Sequence, residues 1–161
     1  MSQAQGGAMF PDATLPMRDG GAVTLNDLRV RWNLVVIFLG AMSLEAAVRR
    51  QLLALSHAHA ALAAEEARVM VVVPTGPDVS AHTRDWPAPV LVDHGAALHQ
   101  RVGVVNALGE PSAAGYITDR YREIYAVFRE DQPPWPPTVD DVREWIVFVN
   151  LHCAECNLPE W

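Results

Sequence analysis

The residues best suited to chemistry in this chain are its only two cysteines, Cys153 and Cys156, near the end of the sequence. Two residues separate them, a spacing that lets two thiols close a disulfide across one helical turn. Together with the adjacent His152 they could instead supply three ligands to a metal ion, although a structural zinc site takes four. Both cysteines could also pack inertly under the last helix. The spacing therefore leaves open a redox dithiol, part of a metal site or a structural pair.

The surroundings of the cysteines decide between these alternatives only in part. If the last helix continues into Cys153, its partial negative end raises the pKa of a thiol there, and Glu155 acts in the same direction. If the helix ends near Asn150, the dipole argument does not apply. A metal site within one chain would need a further ligand from elsewhere, whereas a homodimer could bring two cysteine pairs together. The candidates for that further ligand are His57, His59, His82, His94 and His99.

A second place suited to chemistry is residues 32–47, where a predicted buried strand meets a helix. Residues 34–39 form a continuous apolar run, and Gly40 ends it. The free backbone N–H groups and the positive end of a helix stabilise an anion at such a turn. Yet the turn itself, residues 42–45, contains neither cysteine nor histidine. The site with the favourable backbone and the residues with the reactive side chains are thus far apart in sequence.

Two buried strands joined by a helix form the centre of the predicted fold. Residues 34–39 and 69–73 are uninterrupted apolar runs typical of strands covered on both faces. Between them, residues 44–68 have the periodicity and alanine content of one long helix, so the unit is βαβ with parallel strands. His57 and His59 lie two positions apart, cannot share a helix face, and are predicted to be surface or packing residues.

Shorter elements complete the prediction. The return strand of an N-terminal hairpin covers residues 22–25, and a further short strand covers residues 90–93. A helix over residues 96–102 ends at Gly103. Residues 115–119 and 123–128 form an antiparallel hairpin at one edge of the sheet. A four-proline connector that contains Trp135 leads to a last helix, which Thr138 and Asp141 open with a pattern resembling a capping box. We predict that Trp135 packs against the rest of the protein in a rigid corner; the alternative is that this segment binds a partner.

Composition limits the classes of partner and compartment. The chain has 161 residues, a net charge of −7, twelve arginines and no lysine. An acidic chain without a basic run argues against nucleic acid and anionic membranes as partners. Its first residues have neither the basic nor the apolar region of a signal peptide, so we expect a cytoplasmic protein. The predicted organisation is a loose tail over 1–8, one domain over 9–150 and a cysteine-bearing tail over 151–161.

Five short segments, in this order, resemble the alkyl hydroperoxide reductase/thiol-specific antioxidant family, the peroxiredoxin-like or redoxin proteins. Residues 10–16 resemble the family's A-P-D-F-x-L pattern, residues 24–29 its S-L-S-D-L-R/K pattern and residues 34–40 its V-V-L-F-F strand. Residues 89–104 resemble its P-V-L-x-D…Y-G-V pattern, and residues 116–124 resemble F-L-I-D-x-x-G-x-I. The resemblance spans roughly residues 9–130. It implies an α/β, thioredoxin-like fold: a central mixed sheet of four or five strands, helices on both faces, and an N-terminal β-hairpin extension.

The family keeps its reactive cysteine, often in a C-x-x-C pair, at the turn between strand and helix. Aligning that turn places the two family positions at Ser43 and Ala46, or the first at Leu44 after a shift of one residue. None of these is a thiol, and a serine hydroxyl needs an adjacent base to become a nucleophile. The family's cis-proline falls near Ala113, two residues beyond Pro111. The resemblance therefore implies a degenerate site.

The threonine and arginine that the family has around its peroxide-reducing cysteine have no clear counterpart here, since only Arg120 is well placed in sequence. The leading hypothesis is a divergent redoxin acting in thiol–disulfide or antioxidant chemistry through Cys153 and Cys156, with a protein thiol or disulfide as partner and no cofactor. A second hypothesis is a redox-inactive thioredoxin-fold module used for binding or assembly. A third is metal binding through His152, Cys153 and Cys156, bridging a homodimer.

Overall fold

The fold is that of a computed structural model, which describes residues 7–40, 45–76 and 81–152. Within these ranges, five strands form one mixed sheet in the order β5-β4-β3-β6-β7, and a separate two-stranded hairpin precedes it. The strands are β1 (Thr14–Pro16), β2 (Ala22–Thr24), β3 (Asn33–Phe38), β4 (Ala67–Pro74), β5 (Val90–Asp93), β6 (Ala114–Thr118) and β7 (Ile124–Arg129). The helices are α1 (Ala46–His57), α2 (His59–Ala64), α3 (Ala97–Arg101) and α4 (Val139–Leu151).

The central strand is β3, all of whose residues are buried. It pairs in parallel with β4 and antiparallel with β6, which confirms both the predicted βαβ unit and the antiparallel edge hairpin β6–β7. Alternate side chains of β3 enter two different cores. Val35 and Ile37 pack with α1, α2 and α4 on one face, while Val36 and Phe38 pack with the N-terminal segment and α3 on the other. The predicted helices on both faces of a mixed sheet are thus confirmed.

The prediction of one helix over residues 44–68 is wrong. Helix α1 ends at His57, Ala58 has φ −76° and ψ −4°, and α2 then runs for six residues. Glu66 adopts a left-handed backbone with φ 62°, and β4 starts directly after it. The buried leucines Leu52, Leu55 and Leu62 continue one apolar stripe across the break, so periodicity alone does not reveal it.

None of the helices in the described ranges is both long enough and apolar enough to cross a bilayer.

The N-terminal hairpin covers one edge of the sheet. Met17 bridges to Leu91 in antiparallel fashion, and the Arg18 N–H donates to the Val90 carbonyl at 2.9 Å. The Arg18 guanidinium also donates to the Thr83 hydroxyl at 3.1 Å, which ties the hairpin to the segment before β5. Strand β5 is therefore not an open edge.

A capping box opens α4, as the sequence predicts. The Asp141 N–H donates to Thr138 Oγ1 at 3.0 Å, and the Thr138 N–H donates to Asp141 Oδ2 at 2.8 Å. The helix ends at Leu151, with His152 as its C-cap. Cys153 and Cys156 lie outside the described residues.

A buried polar pair fixes the C-terminal end of β3. His99 is fully buried, its Nδ1 lies 2.7 Å from Asp93 Oδ2, and its Nε2 lies 2.9 Å from the Leu39 carbonyl oxygen. Asp93 also accepts the backbone N–H groups of Leu98 and His99, at 3.0 and 2.9 Å. Because both ring nitrogens face oxygen acceptors, donating to both requires a proton on each nitrogen. The pair links β5 and α3 to the strand that leads into residues 41–44.

We predict that Thr138→Ala lowers the free energy of unfolding by about 1 kcal/mol, because the N–H of Asp141 loses its acceptor. Urea unfolding measures the change. Thr138→Ser retains the hydroxyl and should stay within about 0.5 kcal/mol of the parent protein. Equal losses in the two variants would contradict the capping role.

We predict that His99→Leu lowers the free energy of unfolding by about 3 kcal/mol, because it leaves the buried Asp93 carboxylate without its side-chain partner. His94→Leu is the matched control, since His94 is exposed a few residues away and should change stability by less than about 0.5 kcal/mol. Similar effects of the two substitutions in urea would show that the buried pair contributes nothing specific.

Candidate functional site

The turn between β3 and α1 is where the sequence predicts that an anion would be stabilised. The chain leaves β3 through Leu39 and Gly40, and α1 begins at Ala46. Ser43 and Leu44 lie outside the described residues. Ala46 is exposed at the first position of α1, and its methyl group offers neither a nucleophile nor a proton. Glu45, the N-cap, makes no capping hydrogen bond through its side chain.

A loop that precedes β6 packs directly against this turn. A Cβ atom added at Gly40 would lie 3.1 Å from the Pro111 carbonyl oxygen and 3.5 Å from the Ser112 backbone, so any larger residue would push the loop back by a few tenths of an ångström. The carboxylate of Glu130 holds the loop from the other side, accepting from Ser112 Oγ at 2.9 Å and from the Ala113 N–H at 3.0 Å. In the described chain the cis peptide bonds are Pro133–Pro134 and Trp135–Pro136, so the bond before Pro111 is trans.

The described side chains around this turn do not form a nucleophilic centre. Ser112 Oγ donates to the Glu130 carboxylate, and this hydrogen bond holds the loop in place. The imidazole of His99 lies behind Leu39 with both nitrogens already bonded. Sequence reasoning named His99 only as a candidate metal ligand and assigned no role to Asp93 or Glu130, because these roles depend on partners that the fold brings together. The only available signal was the position of Asp93 after a strand and before a helix.

A pocket of about 410 Å³ opens beside the same loop, between residues 103–107, 112–114 and 129–131. Its charged lining residues are Arg129, Glu130 and Asp131. Below it, burial raises the pKa of Tyr116, while the positive charge of Arg129 opposes that rise. The described ranges hold no group of three side chains arranged to bind a metal ion, and this pocket contains neither histidine nor cysteine.

Helix α4 carries the chain away from this turn to the opposite end of the sheet. Asn33, the first residue of β3, donates from Nδ2 to Asn150 Oδ1 at 2.7 Å, and Asn150 Nδ2 donates to the Glu65 carbonyl at 3.2 Å. The last turn of α4 thus lies beside the start of β3, about 20 Å from its C-terminal end by strand geometry. His152 stacks on Phe148 at 4.0 Å between ring centroids, and its Nδ1 lies 2.8 Å from the Phe148 carbonyl oxygen.

Other residues selected from sequence fall outside the turn. Arg120 pairs with Glu66 at 3.1 Å at the far end of the sheet, away from Gly40. His57 is exposed and His59 half-buried, on separate helices. Trp135 packs against the α1 core, and the neighbouring Pro136 carbonyl accepts from Gln51 at 2.7 Å, which supports the reading of a packed corner.

Solved structures share this architecture at low sequence identity. The AhpC protein of Mycobacterium tuberculosis superposes with a TM-score of 0.73 at 19% identity, over 94% of this chain and 97% of that chain. A putative thiol:disulfide interchange protein DsbE from Chlorobium tepidum gives 0.66 at 18%, over 92% and 99%. Peroxiredoxin Q of Xanthomonas campestris gives 0.67 at 13%, over 92% and 99%. At these identities the likeness shows a shared thioredoxin-like fold.

The sequence itself carries the family signal. No curated protein matches the chain in sequence. The family model described as the AhpC/TSA family, however, matches residues 7–127, which is most of the chain and includes every strand from β1 to β6. By this match the chain belongs to the AhpC/TSA family, as its five sequence segments had indicated.

Proposed function

We propose that this chain is a thiol–disulfide oxidoreductase of the AhpC/TSA family whose redox pair is Cys153 and Cys156. One observation carries the proposal: the chain belongs to that family, yet its only thiols stand outside the matched residues 7–127. Neither Ser43 nor Ala46 can replace a thiol at the family turn. Any thiol chemistry of this chain must therefore come from the C-x-x-C segment.

The proposed reaction is an exchange between two sulfur pairs. Cys153 and Cys156 lose two electrons and two protons as their S–S bond forms, and a partner disulfide takes them up as it opens to two thiols. His152, the residue before Cys153 in the sequence, caps α4 at the end of the sheet opposite Gly40. The exchange would then take place on a protein partner rather than at the family turn, without a cofactor, in a reducing cytoplasmic compartment.

We predict that Cys153 and Cys156 form a reversible intramolecular disulfide with a midpoint potential between about −180 and −300 mV. Equilibration with defined glutathione buffers, followed by alkylation and mass measurement, gives this potential. Ser43→Ala should leave it unchanged, whereas Cys153→Ser or Cys156→Ser should abolish the disulfide. If the thiols stay reduced across that whole range, the redox proposal is wrong.

The empty family turn favours a second candidate, a redox-inactive thioredoxin-fold module for binding or assembly. Ala46 at the start of α1 and the bonded Ser112 leave the described part of the turn without a reactive group. In this case the double variant Cys153→Ser/Cys156→Ser should retain the parent's melting temperature and oligomeric state.

A metal bridge through His152, Cys153 and Cys156 of two chains is the third candidate. We predict, under the redox proposal, less than about 0.1 mole of zinc per mole of protein purified without chelator, because a closed zinc site needs four ligands. Elemental analysis measures it. About half a mole per chain, lost in Cys153→Ser together with the dimer, would instead establish the bridge.

A further inference from the structure

Three arginines and two aromatic rings gather at the end of the sheet where β3 begins. Arg31 and Arg68 lie over the ring of Trp32, at 5.1 and 5.5 Å from the ring centroid, and Arg29 lies over the ring of Tyr121 at 6.0 Å. We call the surface formed by Arg29, Val30, Arg31, Trp32 and Arg68 the arginine–tryptophan surface. Its arginines are exposed and Trp32 is half-buried.

The charges of this surface are not neutralised within the described chain. Neighbouring arginines are paired, Arg120 with Glu66 at 3.1 Å and Arg143 with Glu65 at 3.0 Å. Arg29, Arg31 and Arg68, by contrast, make no ion pair with any residue in the described ranges. Other arginines of the described ranges, such as Arg49 and Arg50, also lack an ion pair, but Arg29, Arg31 and Arg68 differ from them because each lies over an aromatic ring.

Val30 gives an independent sign that this surface is built for contact. It has a left-handed backbone with φ 72°, although it is β-branched, and its side chain is 57% exposed. Such a conformation is strained for valine and strongly favours glycine or asparagine. The Val30 N–H donates to the Arg120 carbonyl at 2.7 Å, which holds the strained residue in place. The fold thus presents an apolar side chain to solvent between two arginines.

We propose that the arginine–tryptophan surface docks an acidic segment of a partner protein that also carries an apolar side chain. Planar guanidinium groups bind carboxylates in bidentate fashion, and those stacked on rings are already ordered for it. Val30 and the edge of Trp32 supply the apolar contact. A long polyanion such as nucleic acid fits less well, because the rest of this acidic chain would repel it. The surface serves this role whether or not Cys153 and Cys156 are redox active.

A fluorescein-labelled peptide of six glutamates around one central leucine tests the proposal by anisotropy with the full-length protein. We expect saturable binding at about 50 mM salt that weakens at about 500 mM, and little binding of the peptide with six glutamines. Arg31→Gln/Arg68→Gln should weaken binding by about tenfold. The matched control Arg49→Gln/Arg50→Gln removes the same charge from exposed positions on α1 and should change binding by less than about twofold.

Val30→Asn tests the apolar contact separately, because asparagine tolerates the left-handed backbone. It should weaken the leucine peptide by about threefold and leave a serine-centred peptide unaffected. Equal losses in the two arginine pairs would overturn the proposal. Tighter binding of a single-stranded oligonucleotide of the same charge would also overturn the proposal. A gain in peptide affinity on deleting residues 153–161 would overturn it as well, because this chain's own tail would then be the occupant.

Discussion

The burial of β3 on both of its faces is the constraint on which the rest of the structure depends. Its six residues pair with β4 on one side, five of them pair with β6 on the other, and their side chains divide between two cores. Since a buried strand must have every backbone group paired and both faces covered, the helices and the edge hairpins follow from it. Its C-terminal end leads to the turn after Gly40, and its N-terminal end lies at the arginine–tryptophan surface. These are the two places where function can be sought.

At the C-terminal end of β3 the described contacts hold the strand in place without supplying a reactive group. Gly40 lets the loop at Pro111 approach closely, and His99 with Asp93 anchors the strand end. These contacts stabilise the fold whether or not a thiol stands in the turn. Fold and activity are therefore under separate physical control.

Much of the architecture was predictable from local patterns, and the misses have a common cause. The apolar runs identified β3 and β4, and the spacing of Thr138 and Asp141 identified the start of α4. The break at Ala58 was not predictable, because the apolar stripe continues through it. The His99–Asp93 pair and the position of Arg120 were missed because they depend on distant segments meeting. Likewise, a net charge of −7 averages over the chain and conceals a local group of arginines.

The N-terminal hairpin has a consequence for the behaviour of the sheet in concentrated solution. A strand at the edge of a sheet offers unpaired backbone groups to any other extended chain, which is a common route to aggregation. Here Met17 and Arg18 occupy those groups on β5, and Arg18 fastens the hairpin to Thr83. A truncation that removes the hairpin would uncover this template and would also take Leu15 out of the second core. The N-terminal hairpin thus helps to keep the protein soluble by preventing other chains from pairing with the edge of β5.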